Sequence, residues 1–263
     1  MKLKIWYAMF GAFISTGMVT TLYFWLGISW VSLATVTVLC VVGYIAGSLS
    51  ASSSTVVSAF GELMRGFLLG MNAASNAFLG STLLSSVIGS DAALSVGIAL
   101  GLLNLLAVIG PVSQSEVYQF ALGWLTWVMP MSWLVIALGL VFLIFSAFLT
   151  IITGGKVEYL RVQALRMDWK TGTTFVRGGL IANLNYLDTA FNMGNFSFVD
   201  AKSNDWHIDH EAGHTLNLAA FGSVFHLIGA FDENVLGRGH QALAERIADS
   251  NSCSGGSNIP MWI

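Results

Sequence analysis

Residues 5–47 read IWYAMFGAFISTGMVTTLYFWLGISWVSLATVTVLCVVGYIAG, and this stretch, which holds no Asp, Glu, Lys or Arg, decides the fold class. The run without such residues continues to Gly61. That is long enough for two bilayer crossings of about 20 residues each, placed at residues 5–27 and 30–47. The first exceeds the apolar core of a secretory signal, roughly 7–15 residues, and no small-x-small cleavage site clearly follows, so it reads as an uncleaved anchor. Further apolar segments occupy residues 67–89, 92–112, 117–129 and 131–153, with Pro130 between the last two. Because the segment at 117–129 is short for a span and would be tilted or re-entrant, the expected count is four to six transmembrane helices.

Composition agrees with the pattern. Only 10% of residues are charged against roughly 25% in soluble proteins, while 55% are hydrophobic and the mean hydropathy is +0.73. The net charge of −3 goes with no expected nucleic-acid partner. Charge is also unevenly distributed: residues 1–155 carry only Lys2, Lys4, Glu62, Arg65, Asp91 and Glu116, and the other 19 charged residues follow. Two parts are therefore expected: a multi-span region over 1–154 and a C-terminal α+β domain over 155–263. Lys2 and Lys4, Arg65, and the run Lys156, Arg161, Arg166, Lys170 and Arg177 predict a cytoplasmic N-terminus and, for an even number of crossings, a cytoplasmic C-terminal domain. The stretch 47–86, rich in Gly, Ala and Ser, suits close helix packing in lipid. Trp124, Trp127 and Trp133 around Pro130 mark a membrane interface. Cys40 lies within a predicted span and Cys253 near the end, so the two are not expected to pair.

After Gly154 the texture changes. Residues 157–169 and 173–176 favour strand around a turn at 170–172, and residues 195–199 read as another strand through the alternation of Phe196 and Phe198 with Ser197. A polar loop at 200–205 leads into a helix expected over 206–221 and ended by Gly222. A separate apolar stretch at 224–231, a final helix at 241–250 and a flexible tail at 252–258 follow. The first of these helices contains His210-Glu211-Ala212-Gly213-His214, a His-Glu-x-x-His pattern. Histidines four apart fall on one helix face about 6 Å apart along the axis and can grip one metal ion, while Glu211 is turned aside to act as a base on a metal-held water.

A strand followed directly by such a helix resembles the gluzincin branch of the zincin metallopeptidases, and the resemblance covers about residues 195–250. In that branch a second helix supplies a glutamate as third ligand, often within Glu-x-x-Ala-Asp. This chain has Glu245-Arg246-Ile247-Ala248-Asp249 downstream. The resemblance implies a zincin-like C-terminal domain with zinc held by His210, His214 and Glu245; Glu233 and His226 are the other candidates for the third ligand. It further implies Glu211 as general base toward a peptide carbonyl. Asp249 and Asp209 are candidates for holding a histidine ring nitrogen, and His226 or His240 for donating to a developing oxyanion. The strand at 195–199, as an exposed edge, would bind an extended substrate by strand addition. Membrane-anchored relatives commonly place the catalytic helix between spans, whereas here every evident span precedes it.

The function expected is that of a membrane-anchored zinc peptidase acting on peptide or protein substrates beside the lipid bilayer. Two other classes compete. One is a site-2-like intramembrane protease, disfavoured because the apolar run after His214 ends at Phe231, too short to span. The other is a non-catalytic membrane scaffold with a degenerate or structural metal site.

Overall fold

A computed structural model describes residues 2–51, 59–184 and 189–252 of the chain. Cys253 and all of the expected tail beyond Ser252 lie outside the described residues. The molecule is mostly helical, with a small four-stranded mixed sheet toward the C-terminal region.

The helices are α1 (Lys2–Leu26), α2 (Trp30–Ala51), α3 (Ala59–Ile88), α4 (Ser90–Leu106), the short α5 (Gly110–Ser113), α6 (Glu116–Leu125) and α7 (Trp133–Ile152). Next come β1 (Val162–Asp168), β2 (Thr173–Gly178), β3 (Ala190–Met193) and β4 (Phe196–Val199), then α8 (Ile208–Asn234) and α9 (Leu243–Ser252). Among the described residues five helical segments are long and apolar enough to cross a membrane: Ile5–Leu26, Trp30–Ser50, Ala59–Ile88, Pro130–Ile152 and Ile208–Asn234. The first four correspond to expected spans. The expected span at 92–112 is a 17-residue helix, α4, followed by α5, and the short segment at 117–129 is α6 with a 3-10 turn after it.

The fifth is two helices that meet at Gly222, which takes φ 82° and ψ 175°: the motif helix ends there as expected, and a second helix runs on to Asn234. A glycine tolerates that backbone and lets the chain restart a helix at once, so the stretch expected as a separate apolar segment is the second half of α8. Taken together the two halves make 27 residues, apolar enough by length and composition to count among the candidate spans although the chain bends between them.

Packing is tightest between α1 and α3, where Gly66 lies against the backbone of Ala8 and Gly70 against that of Ala12, close approaches that a side chain would block. Arg65, read from sequence as a loop cation, is instead buried in α3. It pairs with Glu62 at 3.0 Å and donates to the carbonyls of Ala107 and Val108, which follow the last turn of α4. One apolar core joins Ala8, Tyr44 and Leu69 to Ala219, Phe225 and Ile247, so it runs across the composition boundary at residue 154.

The sheet has the order β1-β2-β4-β3. β1 and β2 are antiparallel, β2 and β4 parallel, and β3 and β4 antiparallel. β4, expected as an exposed edge, is an internal strand buried at all four positions, with Phe198 against Phe142 of α7 and Phe191 of β3. The edge beside α8 is β3, which is not legible in the sequence: Ala190-Phe191-Asn192-Met193 does not alternate apolar with polar residues.

Candidate metal centre

The two histidines of the motif leave α8 one turn apart, and α9 crosses that face. The crossing depends on Gly213, whose added β-carbon would sit 2.4 Å from the carbonyl oxygen of Ala248. With no side chain at 213 the helices touch at backbone distance, and Glu245, one turn before Asp249, reaches the histidines. Asn217 fixes the same crossing by donating from Nδ2 to the Ala244 carbonyl at 2.9 Å.

Three side chains converge. His210 Nε2 lies 3.0 Å from Glu245 Oε2, and His214 Nε2 lies 3.1 Å from Glu245 Oε1. The two Nε2 atoms are 3.1 Å apart. Four ligands held tetrahedrally at about 2.0–2.1 Å from zinc are separated by roughly 3.3 Å, so the observed spacings are close to those of a formed site. His210, His214 and Glu245 could therefore hold a metal ion. The donor set, two imidazoles and a carboxylate, is the chemistry of an open catalytic zinc site rather than a closed thiolate one.

Around the cluster, each expected residue has a definite place. Asp249 Oδ1 lies 2.8 Å from His210 Nδ1 and turns Nε2 toward the cluster; with a metal bound, the ring proton would sit on Nδ1 and the Nε2 lone pair would face the ion. Asp209, the other candidate for that task, is exposed on the first turn of α8. Glu211 is buried, and among the described residues its Oε2 has no hydrogen-bond partner although it lines the same cavity. Burial alone would raise the Glu245 carboxyl, but the charge of His214 and the hydrogen bonds from His210 and His214 outweigh it and hold the group below the usual carboxylate range.

The cavity holds about 260 Å³ and is walled by the cluster, β3, His207, His226, Glu233 and His240. Glu233 and His226 line it, but Glu245 is the carboxylate in contact with both imidazoles. His226 donates from Nε2 to the Asn192 carbonyl at 2.9 Å, so the neutral ring has no donor left for an oxyanion. His240 is exposed, with its ring 6.2 Å from that of His210. His207, the residue before α8, has a positive φ of 46°.

Asn192 was not singled out from sequence and proves central. Its Nδ2 donates to the Glu211 carbonyl at 3.0 Å and to Thr215 Oγ1 at 3.1 Å, so one side chain fixes β3 to the motif helix. Thr215 in turn donates to the Gly194 carbonyl and accepts from Thr173. The sequence signal for this network was the polar residues Thr215 and Asn217 in a stretch, residues 215–222, that is otherwise apolar. No family model matches the chain, and neither the curated proteins nor the solved structures contain a match.

Proposed function

We propose that the chain is a membrane-anchored, zinc-dependent peptidase that hydrolyses peptide bonds. The observation that carries the proposal is the convergence of His210, His214 and Glu245 in a cavity that the buried Glu211 also lines. Zinc held by those three side chains would supply a Lewis acid that polarises a carbonyl and acidifies water toward neutrality. Glu211 takes the proton of the attacking water and passes it to the leaving amine. Asp249 keeps His210 in the tautomer that presents Nε2.

β3 supplies the substrate platform that sequence reading assigned to residues 195–199. Thr189 accepts from Asp200 on the β4 side, while Asn192 accepts from His226 on the other. By antiparallel alternation, Ala190 then turns both its peptide groups toward the cavity, where an extended substrate can pair with them.

A second reading, cleavage within the bilayer, is favoured by one observation. The two halves of α8 are apolar enough by length and composition to lie in a bilayer, and they pack against α2, α3, α6 and α7. Transmembrane peptides cleaved in preference to soluble ones would select it over cleavage outside the bilayer.

The test is elemental analysis of the detergent-purified chain with a hydrolysis assay on a fluorogenic peptide library. About one zinc per chain is expected, and Glu211→Gln should keep the metal while abolishing turnover. Turnover that survives Glu211→Gln would show the base assignment to be wrong. A chain purified without any bound metal and unable to take up zinc would leave the scaffold reading.

A further inference from the structure

α8 is bent back far enough that its two halves face one cavity. His226 follows His214 by 12 residues, about 18 Å along a straight helix, yet their ring centroids are 6.2 Å apart. The break at Gly222 makes this possible and creates a problem. A residue at φ 82° and ψ 175° does not continue the helical ladder, so the carbonyls of Ala219 and Ala220 lose the amides of residues 223 and 224 that would have bonded them. They lie in the protein core, where water does not replace those donors.

Side chains from two other helices supply what the break removes, and Ser132 adds a donor beside them, to the carbonyl of Leu218 at 3.3 Å. Asn104 of α4 donates to that of Ala219 at 2.8 Å. Asn72 of α3 donates to Ala219 at 3.1 Å and to Ala220 at 2.9 Å. Asn76 then orients the set: its Nδ2 donates to Asn104 Oδ1 at 2.8 Å, and its own Oδ1 accepts from the Met131 backbone at 3.0 Å. All four side chains are fully buried. The fit extends to Gly222 itself, since a β-carbon there would come within 2.7 Å of Asn72 Oδ1.

We infer that Asn72, Asn76, Asn104 and Ser132 form a latch that holds α8 open at Gly222, and that they act as positioning residues for the far wall of the cavity. Three asparagines in two apolar helices are otherwise hard to account for, because each amide desolvated among apolar helices is unfavourable unless its partner needs it. The wall they position contains His226, which holds the outer face of β3 through Asn192, and Glu233. The first half of α8 and α9 hold the metal-type cluster, so releasing the latch should displace the wall and leave the cluster in place.

The experiment reads the wall directly. Diethyl pyrocarbonate labelling of His226, followed by peptide mass mapping, is compared in the full chain, Asn104→Leu, Ser132→Ala and Leu100→Ala, each well below its own thermal midpoint. Leu100→Ala weakens the same helix without touching the carbonyls of α8. Labelling of His226 should accelerate about tenfold in Asn104→Leu, the scale of one lost buried hydrogen bond, and less in Ser132→Ala. In Leu100→Ala it should stay at the rate of the unmodified chain, while zinc content is unchanged throughout. Equal acceleration in Leu100→Ala, or none in either donor variant, overturns the latch. Should Asn104→Leu fail to fold, Ser132→Ala against Leu100→Ala decides alone. The labelling arm needs neither zinc nor turnover, so its failure is distinct from failure of the peptidase proposal.

Discussion

His210 uses both ring nitrogens, one toward Asp249 and one toward Glu245 and His214, and this double commitment makes its surroundings testable one residue at a time. Asp249→Asn removes the charge that favours the Nδ1 proton but keeps the shape. Zinc affinity measured by chelator competition should fall about 10–100-fold, the usual cost of losing such a partner. Glu245→Ala removes a proposed ligand and should leave the purified chain with little zinc; unchanged zinc content would move the third ligand elsewhere. Chelation of the intact protein should abolish hydrolysis, and added zinc should restore it. Glu211 and the two histidines were legible in sequence because a helix makes positions four apart coincide. The split between Asp209 and Asp249 was not. Both are near the motif in some fold, and only the direction of α9 chooses between them.

At the scale of elements, the α8–α9 crossing governs whether a site exists. Gly213 is the residue on which the crossing turns, and Gly213→Ala would drive a methyl group into the Ala248 backbone. A destabilisation of about 1–3 kcal/mol is expected from such overpacking, seen as a lower thermal midpoint together with weaker zinc retention. A thermal midpoint and zinc content both unchanged would mean that α9 is free to shift. The strands show the limits of pattern reading. β2 and β4 were legible, β4 from its alternation, but β3 was not, because Ala190-Phe191-Asn192-Met193 does not alternate apolar with polar residues, and strand order depends on contacts distant in sequence. Taking β4 for an edge followed from that gap. The helix break is a similar case: glycine after an apolar run signals a helix end, and only the donors from α3 and α4 turn that end into a bend.

For the whole molecule, the common core is the feature with the widest consequences. Phe225 packs on Tyr44 at 5.2 Å between ring centroids, and Tyr44 donates to the buried Asp232 at 2.9 Å, so α8 is tied to the second helix of the chain. A fragment comprising residues 155–263 should therefore lack zinc and aggregate when expressed alone, although its composition is nearly that of a soluble domain. A soluble, zinc-loaded fragment would contradict this. Retention of the full chain in the membrane pellet after alkaline carbonate washing is expected from five apolar helices, and release by that wash would oppose it.

Sequence alone determined that the N-terminal part of this chain forms apolar segments long enough to cross a membrane, since hydropathy over about 20 residues is a local property that no packing reverses. It also singled out the pair that could hold a metal ion, since helical spacing brings His210 and His214 together without help from the rest of the fold. Tertiary structure decided the remainder: that Glu245 and Asp249 meet those histidines, that β3 rather than β4 faces the cavity, and that α8 bends at Gly222. These outcomes rest on contacts between segments far apart in the chain, whose energies depend on shape and on buried hydrogen bonds that no local pattern encodes.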